Sequence, residues 1–226
     1  MPEPAPNAEL MRSLGRLVRG LSALFWGLPL ALIACFYTAK VEGLKWFGIP
    51  ALVSTGLLVF GLWELGAFQR QERVWRDALD RARLLGLVNF GLSPFLYWWS
   101  KMPGNPFFIA MVAALVVSGL FFLGSLNLVL QRLGAMLPDE ALRLETRQFT
   151  ALNLNLLVAT LVLGLAYFGL GQVPKLPRWL QGVAAIIEHG SFWFLIPLVL
   201  LPVAMTMALL WKTKEVILEN VFGAER

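Results

Sequence analysis

One cysteine, Cys35, and one histidine, His189, are all the chain has of the two residues that most often ligate metals or make covalent links. A lone thiol excludes an internal disulfide, and a lone imidazole excludes bis-histidine haem ligation and any multi-histidine metal site within one chain. Charge is scarce too. Charged residues are 15% of the sequence and hydrophobic ones 58%, with a mean hydropathy of +0.69, a balance outside that of ordinary soluble domains. There is no phosphate-binding GxxxxGK followed by Ser or Thr, no HExxH, no GxSxG with a partnered histidine, and no sizeable soluble domain. An enzyme is therefore not expected, nor a metal or cofactor, because no nucleophile and base can be nominated.

Long apolar runs are what the sequence does have. Residues 21–39, 46–68, 84–100, 107–130, 149–171 and 190–211 are each of the length needed to cross about 30 Å of hydrocarbon. Such segments are expected as helices, since a lone span must satisfy its backbone hydrogen bonds internally. The expected fold class is an all-α polytopic membrane bundle of six transmembrane helices. Residues 1–20 are expected as a cytoplasmic tail with an interfacial amphipathic helix, 21–211 as the membrane domain, and 212–226 as a cytoplasmic tail.

The pI near 9.7 invites a nucleic-acid reading, but the distribution of the basic residues argues against it. Six spans divide the connections into two sets. Arg12, Arg16, Arg19, Arg70, Arg73, Arg76, Arg81, Arg83, Arg132, Arg143, Arg147, Lys212, Lys214 and Arg226 put fourteen positive residues on one side; Lys40, Lys45, Lys101, Lys175 and Arg178 put five on the other. That asymmetry predicts both termini inside, in a bacterial cytoplasmic membrane, with attraction to anionic lipids of the inner leaflet. Tyr37, Tyr97 and Tyr167, with Trp46, Trp98, Trp99, Trp179 and Trp193, fall near the outer ends of spans, where amphipathic rings prefer to sit.

The first four spans repeat as hairpins. Phe25 and Pro29 match Phe90 and Pro94, Thr55-Gly56-Leu57 matches Ser118-Gly119-Leu120, Gly61 matches Gly124, and Gln69-Arg70 matches Gln131-Arg132, at offsets of 65, 63, 63 and 62. Spans five and six form a more diverged third hairpin in the same scheme. The connection 69–83 is expected to continue span two as a charged helix, with Glu72–Arg76 and Asp77–Arg81 pairs at i,i+4. Another helix is expected to start near Pro138-Asp139-Glu140. The N-terminal MPEPAPN is too short and proline-rich to order itself, whereas Leu10, Leu14, Leu17, Val18 and Leu21 predict a helix lying in the inner headgroup region. On the outer side KMPGNP reads as a tight turn, and QVPKLPRWLQGVAAIIEHG as a short amphipathic helix before Gly190.

Glu64 occupies, in span two, the position that Asn127 takes in span four. Counted from the inner ends of their spans, Glu64, Asn89, Asn127, Asn153 and Asn155 fall at similar depth, which predicts one polar layer facing the bundle interior. Such a layer is either a hydrogen-bonded belt that sets packing or a cytoplasm-facing site for a cation, proton or head group with Glu64 as its ionisable member. Ala23, Gly27, Ala31, Cys35 and Ala39 in span one, and Ala110, Ala114 and Ser118 in span four, recur every four residues. They are the expected helix-packing faces, either within the bundle or toward a membrane-protein partner or second copy. Pro29, Pro94, Pro197 and Pro202 are expected to kink spans one, three and six. LIAC at 32–35 also resembles a bacterial lipoprotein processing box, although a packing role for Cys35 suffices. Glu188-His189 is read as polar flanking of span six, because neighbouring helical residues point about 100° apart. The expected function is that of an accessory, scaffold or assembly subunit, with a small transporter or channel built on Glu64 as the alternative.

Overall fold

A computed structural model describes the backbone of residues 6–40, 48–69, 72–137, 139–171 and 178–222, and the side-chain surroundings of 11–40, 48–69, 72–137, 139–166 and 197–219. These residues form helices α1 (Pro6–Lys40), α2 (Ile49–Leu65), α3 (Arg73–Leu92), α4 (Phe95–Lys101), α5 (Pro106–Met136), α6 (Glu140–Gly171) and α7 (Arg178–Phe222), with no strand among them. Met11–Lys40, Pro106–Met136 and Glu140–Ala166 are long and apolar enough to cross a membrane; Ile49–Leu65 is apolar but shorter. The described residues thus form an all-helical bundle with three helices able to span a membrane. Neighbours in space follow the chain from α1 to α2, α3, α5, α6 and α7, and α7 returns to touch α1.

Helix ends follow local chemistry. Gly48, at φ 75°, takes the left-handed conformation that a Cβ disfavours, and Pro50 opens α2 behind it. Asn105 accepts from the Phe107 N–H at 3.0 Å and Pro106 starts α5, so KMPGNP is a turn with a built-in cap. Asp139 accepts from the N–H groups of Ala141 and Leu142 at 2.9 and 3.1 Å, which begins α6 at Glu140. Pro94 lacks the N–H that would join α3 to α4, and the third expected span breaks there. Helix α1 runs on through Pro29, and α7 through Pro197 and Pro202.

Three connections differ from the sequence reading. Helix α2 ends at Leu65, and the charged segment belongs to the next helix: α3 begins at Arg73 and runs into the third span. The cause is visible at the junction, where Arg83 donates from Nε to the Leu62 carbonyl at 3.2 Å and from Nη2 to the Trp63 carbonyl at 3.4 Å. A cation on those terminal carbonyls closes α2. The ion pair formed along α3 is Arg83–Asp80, rather than Glu72–Arg76 or Asp77–Arg81. Second, the helix expected to lie in the headgroups is continuous with span one in α1, and its apolar side faces protein: Leu17 and Leu21 are fully buried. Third, α7 is unbroken from Arg178 through the described part of the segment expected as a separate outer helix; residues 172–177 lie outside the described residues, as do the side chains of 178–196, His189, Trp179 and Trp193 among them, and of Tyr167.

Among the described residues, the largest buried side chains gather toward the arginine-bearing side. Leu17, Leu65, Trp75, Leu79, Leu133 and Leu210 are at most 1% exposed, and Phe68 meets Trp75 edge-on at 6.5 Å. Of these, Leu17, Trp75, Leu79 and Leu133 lie outside the expected spans 21–39, 84–100 and 107–130. At the opposite end, none of residues 107–117 of α5 is buried.

Candidate functional site

Polar side chains of the spans gather at three separate places. At the first, α1 and α2 cross with their backbones in close approach: a Cβ on Gly20 would lie 2.8 Å from the Gly61 carbonyl oxygen, and one on Gly27 would lie 2.7 Å from Leu58 Cδ2. One turn beyond Gly61, the Glu64 Oε2 faces the Arg19 Nη2 at 3.7 Å. That distance is an ion pair rather than a hydrogen bond, and it is wet on one side, with the Arg19 side chain 69% exposed and that of Glu64 24%. Glu64 Oε2 itself is buried without a hydrogen-bond donor.

At the second place, Asn89 of α3 meets Ser118 of α5. The Ser118 hydroxyl donates to Asn89 Oδ1 at 2.6 Å, and Asn89 Nδ2 donates to the Ser118 carbonyl at 3.5 Å. About one turn above Asn89, Thr55 of α2 donates to the Ser93 hydroxyl at 3.3 Å. These bonds tie three helices through small side chains.

The third is the most connected. Thr206 of α7 accepts from Asn127 Nδ2 of α5 at 2.9 Å and from Asn153 Nδ2 of α6 at 3.0 Å. Its own hydroxyl donates to the Pro202 carbonyl at 2.7 Å, which also accepts from Asn153 at 3.2 Å. Thr150 adds a 3.4 Å bond to the Asn127 carbonyl. Pro202 has no N–H for the Leu198 carbonyl, and Thr160 of α6 supplies a donor there at 3.3 Å. All of these side chains are buried, and two acceptors, Asn127 Oδ1 and Asn153 Oδ1, have no donor.

No protein-family model, curated protein or solved structure matches this chain. The site is therefore read from its own geometry.

The five residues expected in one layer are not brought together. Asn127 and Asn153 share Thr206; Asn89 is paired elsewhere, Glu64 stands with Arg19, and Asn155 is exposed on the outside of α6. Counting depth from flush inner ends misplaced Asn89. Its partner Ser118 is nine residues from Asn127 along α5, about 13 Å, and a Cβ on Gly86 of α3 would touch Leu62 and Phe122. Residue 84, the expected start of span three, therefore lies about two turns above residue 130, and α3 enters the bundle earlier, with Trp75 and Leu79. Of the packing faces, Gly27 and Ala31 are buried with Ala23 and Cys35 half-buried on α1, while on α5 Ser118 is buried and Ala110 and Ala114 are exposed.

Three threonines were missed, and a signal for them exists. Leu142, Thr146, Thr150, Asn153, Leu157 and Thr160 are all buried and recur at steps of four, four, three, four and three, a single face of α6. Thr206 stands four residues after Pro202, the position from which a hydroxyl reaches back to the proline carbonyl. Chemically the third cluster holds amides and hydroxyls only, so it can hold helices or a hydrogen-bond donor in place but has no group to shuttle a proton at neutral pH. Among the described residues, no three of His, Cys, Asp or Glu come together to hold a metal.

Proposed function

We propose that the protein crosses a bacterial cytoplasmic membrane six times with both termini inside, and acts through its helix surfaces as an accessory, scaffold or assembly subunit without catalysis of its own. The observation that carries this is the different fate of the two small-residue faces. That of α1 is consumed inside the bundle against Leu58, whereas Ala110, Ala113 and Ala114 of α5 are exposed, on a stretch with no buried residue. Small residues allow close backbone approach in lipid, which suits a partner helix or the same face of a second copy. The polar residues of the spans support it too, since they bond helix to helix.

The hairpin repeat is supported by matched positions that are buried alike, although the helices they meet do not correspond in the repeat. Thr55 and Ser118 are both buried and both bond a polar side chain at the end of α3, and Gly61 and Gly124 both sit against leucines of a neighbouring helix. The test is cross-linking in native membranes, with Cys35 replaced by Ser and single cysteines placed at 110, 114 and, as a lipid-facing comparison, 158. A partner or dimer captured at 110 and 114 and not at 158 is expected; equal capture at all three, or none, refutes the reading. Cysteines at 76 and 143 should label from the same, inner side.

A second reading, a small transporter or channel, draws on the buried, undonated Glu64 Oε2. It requires Glu64→Gln to abolish cation- or pH-driven flux in proteoliposomes.

A further inference from the structure

Arg12, Gly15, Arg16 and Arg19 line a groove of about 580 Å³ on the first turns of α1. Steps of four and three put the three guanidinium groups on one side of the helix. The opposite side is fixed by the bundle, because Leu17 and Leu21 are fully buried, so the arginine face is held in a set direction. All three arginines are exposed. Arg12 and Arg16 make no ion pair among the described residues, and they stand at i,i+4, where like charges repel unless an anion lies between them. A Cβ on Gly15 would meet nothing within 4 Å, so the floor between them is open.

We propose that this groove binds a phosphate group, carried either by an anionic lipid headgroup or by a free phosphate compound. Guanidinium groups match phosphate oxygens in a paired, planar fashion that an ammonium cannot. Depth fits the lipid source. With span one starting at residue 21, Arg19 and Arg16 lie about 3 and 7 Å before the hydrocarbon along the axis, within the headgroup layer, and Arg12 about 13 Å before it, in water. Glu64 is the opposing charge: its carboxylate, 3.7 Å from Arg19, competes with the anion for that guanidinium. The inference does not depend on a protein partner.

The experiment uses the full-length chain in mild detergent, in two arms. Native mass spectrometry measures retention of added phosphatidylglycerol against phosphatidylcholine, and calorimetry measures binding of inorganic phosphate and pyrophosphate. Each arginine replaced by Gln is expected to weaken binding about fivefold and Arg12→Gln/Arg16→Gln/Arg19→Gln about a hundredfold, from the usual contribution of a basic residue beside anionic lipid. Glu64→Gln is expected to tighten binding severalfold. The comparison variant Arg76→Gln/Arg143→Gln/Arg147→Gln, at exposed arginines elsewhere, is expected to bind within twofold of the parent. Signal in the lipid arm alone identifies a headgroup, and signal with phosphate identifies a soluble compound. No binding in either arm, or equal loss in the comparison variant, overturns the proposal. Should the triple variant unfold, Arg12→Gln and Arg16→Gln singly, at side chains that pair with nothing described, carry the same test.

Discussion

Thr206→Val tests the packing role of the polar cluster most directly, because valine keeps the shape and removes only the hydroxyl. Two bonds between helices are lost, from Asn127 at 2.9 Å and from Asn153 at 3.0 Å. Such bonds inside membranes average about 0.6 kcal/mol and reach about 1.7. Each amide nitrogen keeps one acceptor, the Leu123 carbonyl at 2.8 Å and the Pro202 carbonyl at 3.2 Å, so no donor is orphaned and the loss stays toward the low end. The expected destabilisation is about 1–2 kcal/mol. Thr160→Val removes one longer interhelical bond, 3.3 Å to the Leu198 carbonyl, and should cost about 0.5 kcal/mol. Unfolding of the purified chain by SDS titration in mixed micelles, followed by circular dichroism, gives both values. If Thr206→Val costs no more than Thr160→Val, the cluster does not hold α5, α6 and α7 together as described.

Other outcomes follow from the same geometry. Gly20→Ala should destabilise by about 1–3 kcal/mol, because its Cβ meets a backbone carbonyl at 2.8 Å, whereas Gly15→Ala, with open space around it, should stabilise by up to about 1 kcal/mol; chemical or thermal melts decide it. A Cβ on Gly66 would overlap the Arg83 guanidinium, so Gly66→Ala and Arg83→Ala should each cost about 1–2 kcal/mol and the double variant no more than either alone, a non-additivity measurable by the same titration. Asn153→Leu should lower stability by more than 1 kcal/mol and Asn155→Leu leave it unchanged within about 0.5 kcal/mol, since one is buried and bonded and the other faces outward. Glu64→Gln should leave the melting temperature within a few degrees of the parent, because 3.7 Å to an exposed Arg19 guanidinium is too long for a hydrogen bond.

Helical class and membrane character were legible because composition leaves no alternative to apolar helices. Gly61 was legible through its repeat at Gly124. Its backbone approach to Gly20 was not, because Gly20 lies seven residues from Gly27, outside a count by fours, although seven residues are close to two full turns. Asn153 and Asn155 look equivalent by depth, yet two residues apart on a helix they point in nearly opposite directions, and rotation rather than depth decides which is buried. The boundary of α2 was hidden for a different reason. The i,i+4 charge pattern of residues 72–81 is as good for a helix that begins there as for one that continues, and only the long-range contact of Arg83 with the carbonyls of α2 distinguishes them. Local periodicity carries no information about the vertical offset of one helix against the next, and that offset separated Asn89 from the others.

Among the described residues, buried leucine and Trp75 gather at one end, which makes that end the anchor of the fold. Backbone amides near Leu79, Leu130 and Leu210 should be among the last to trade their hydrogens for deuterium.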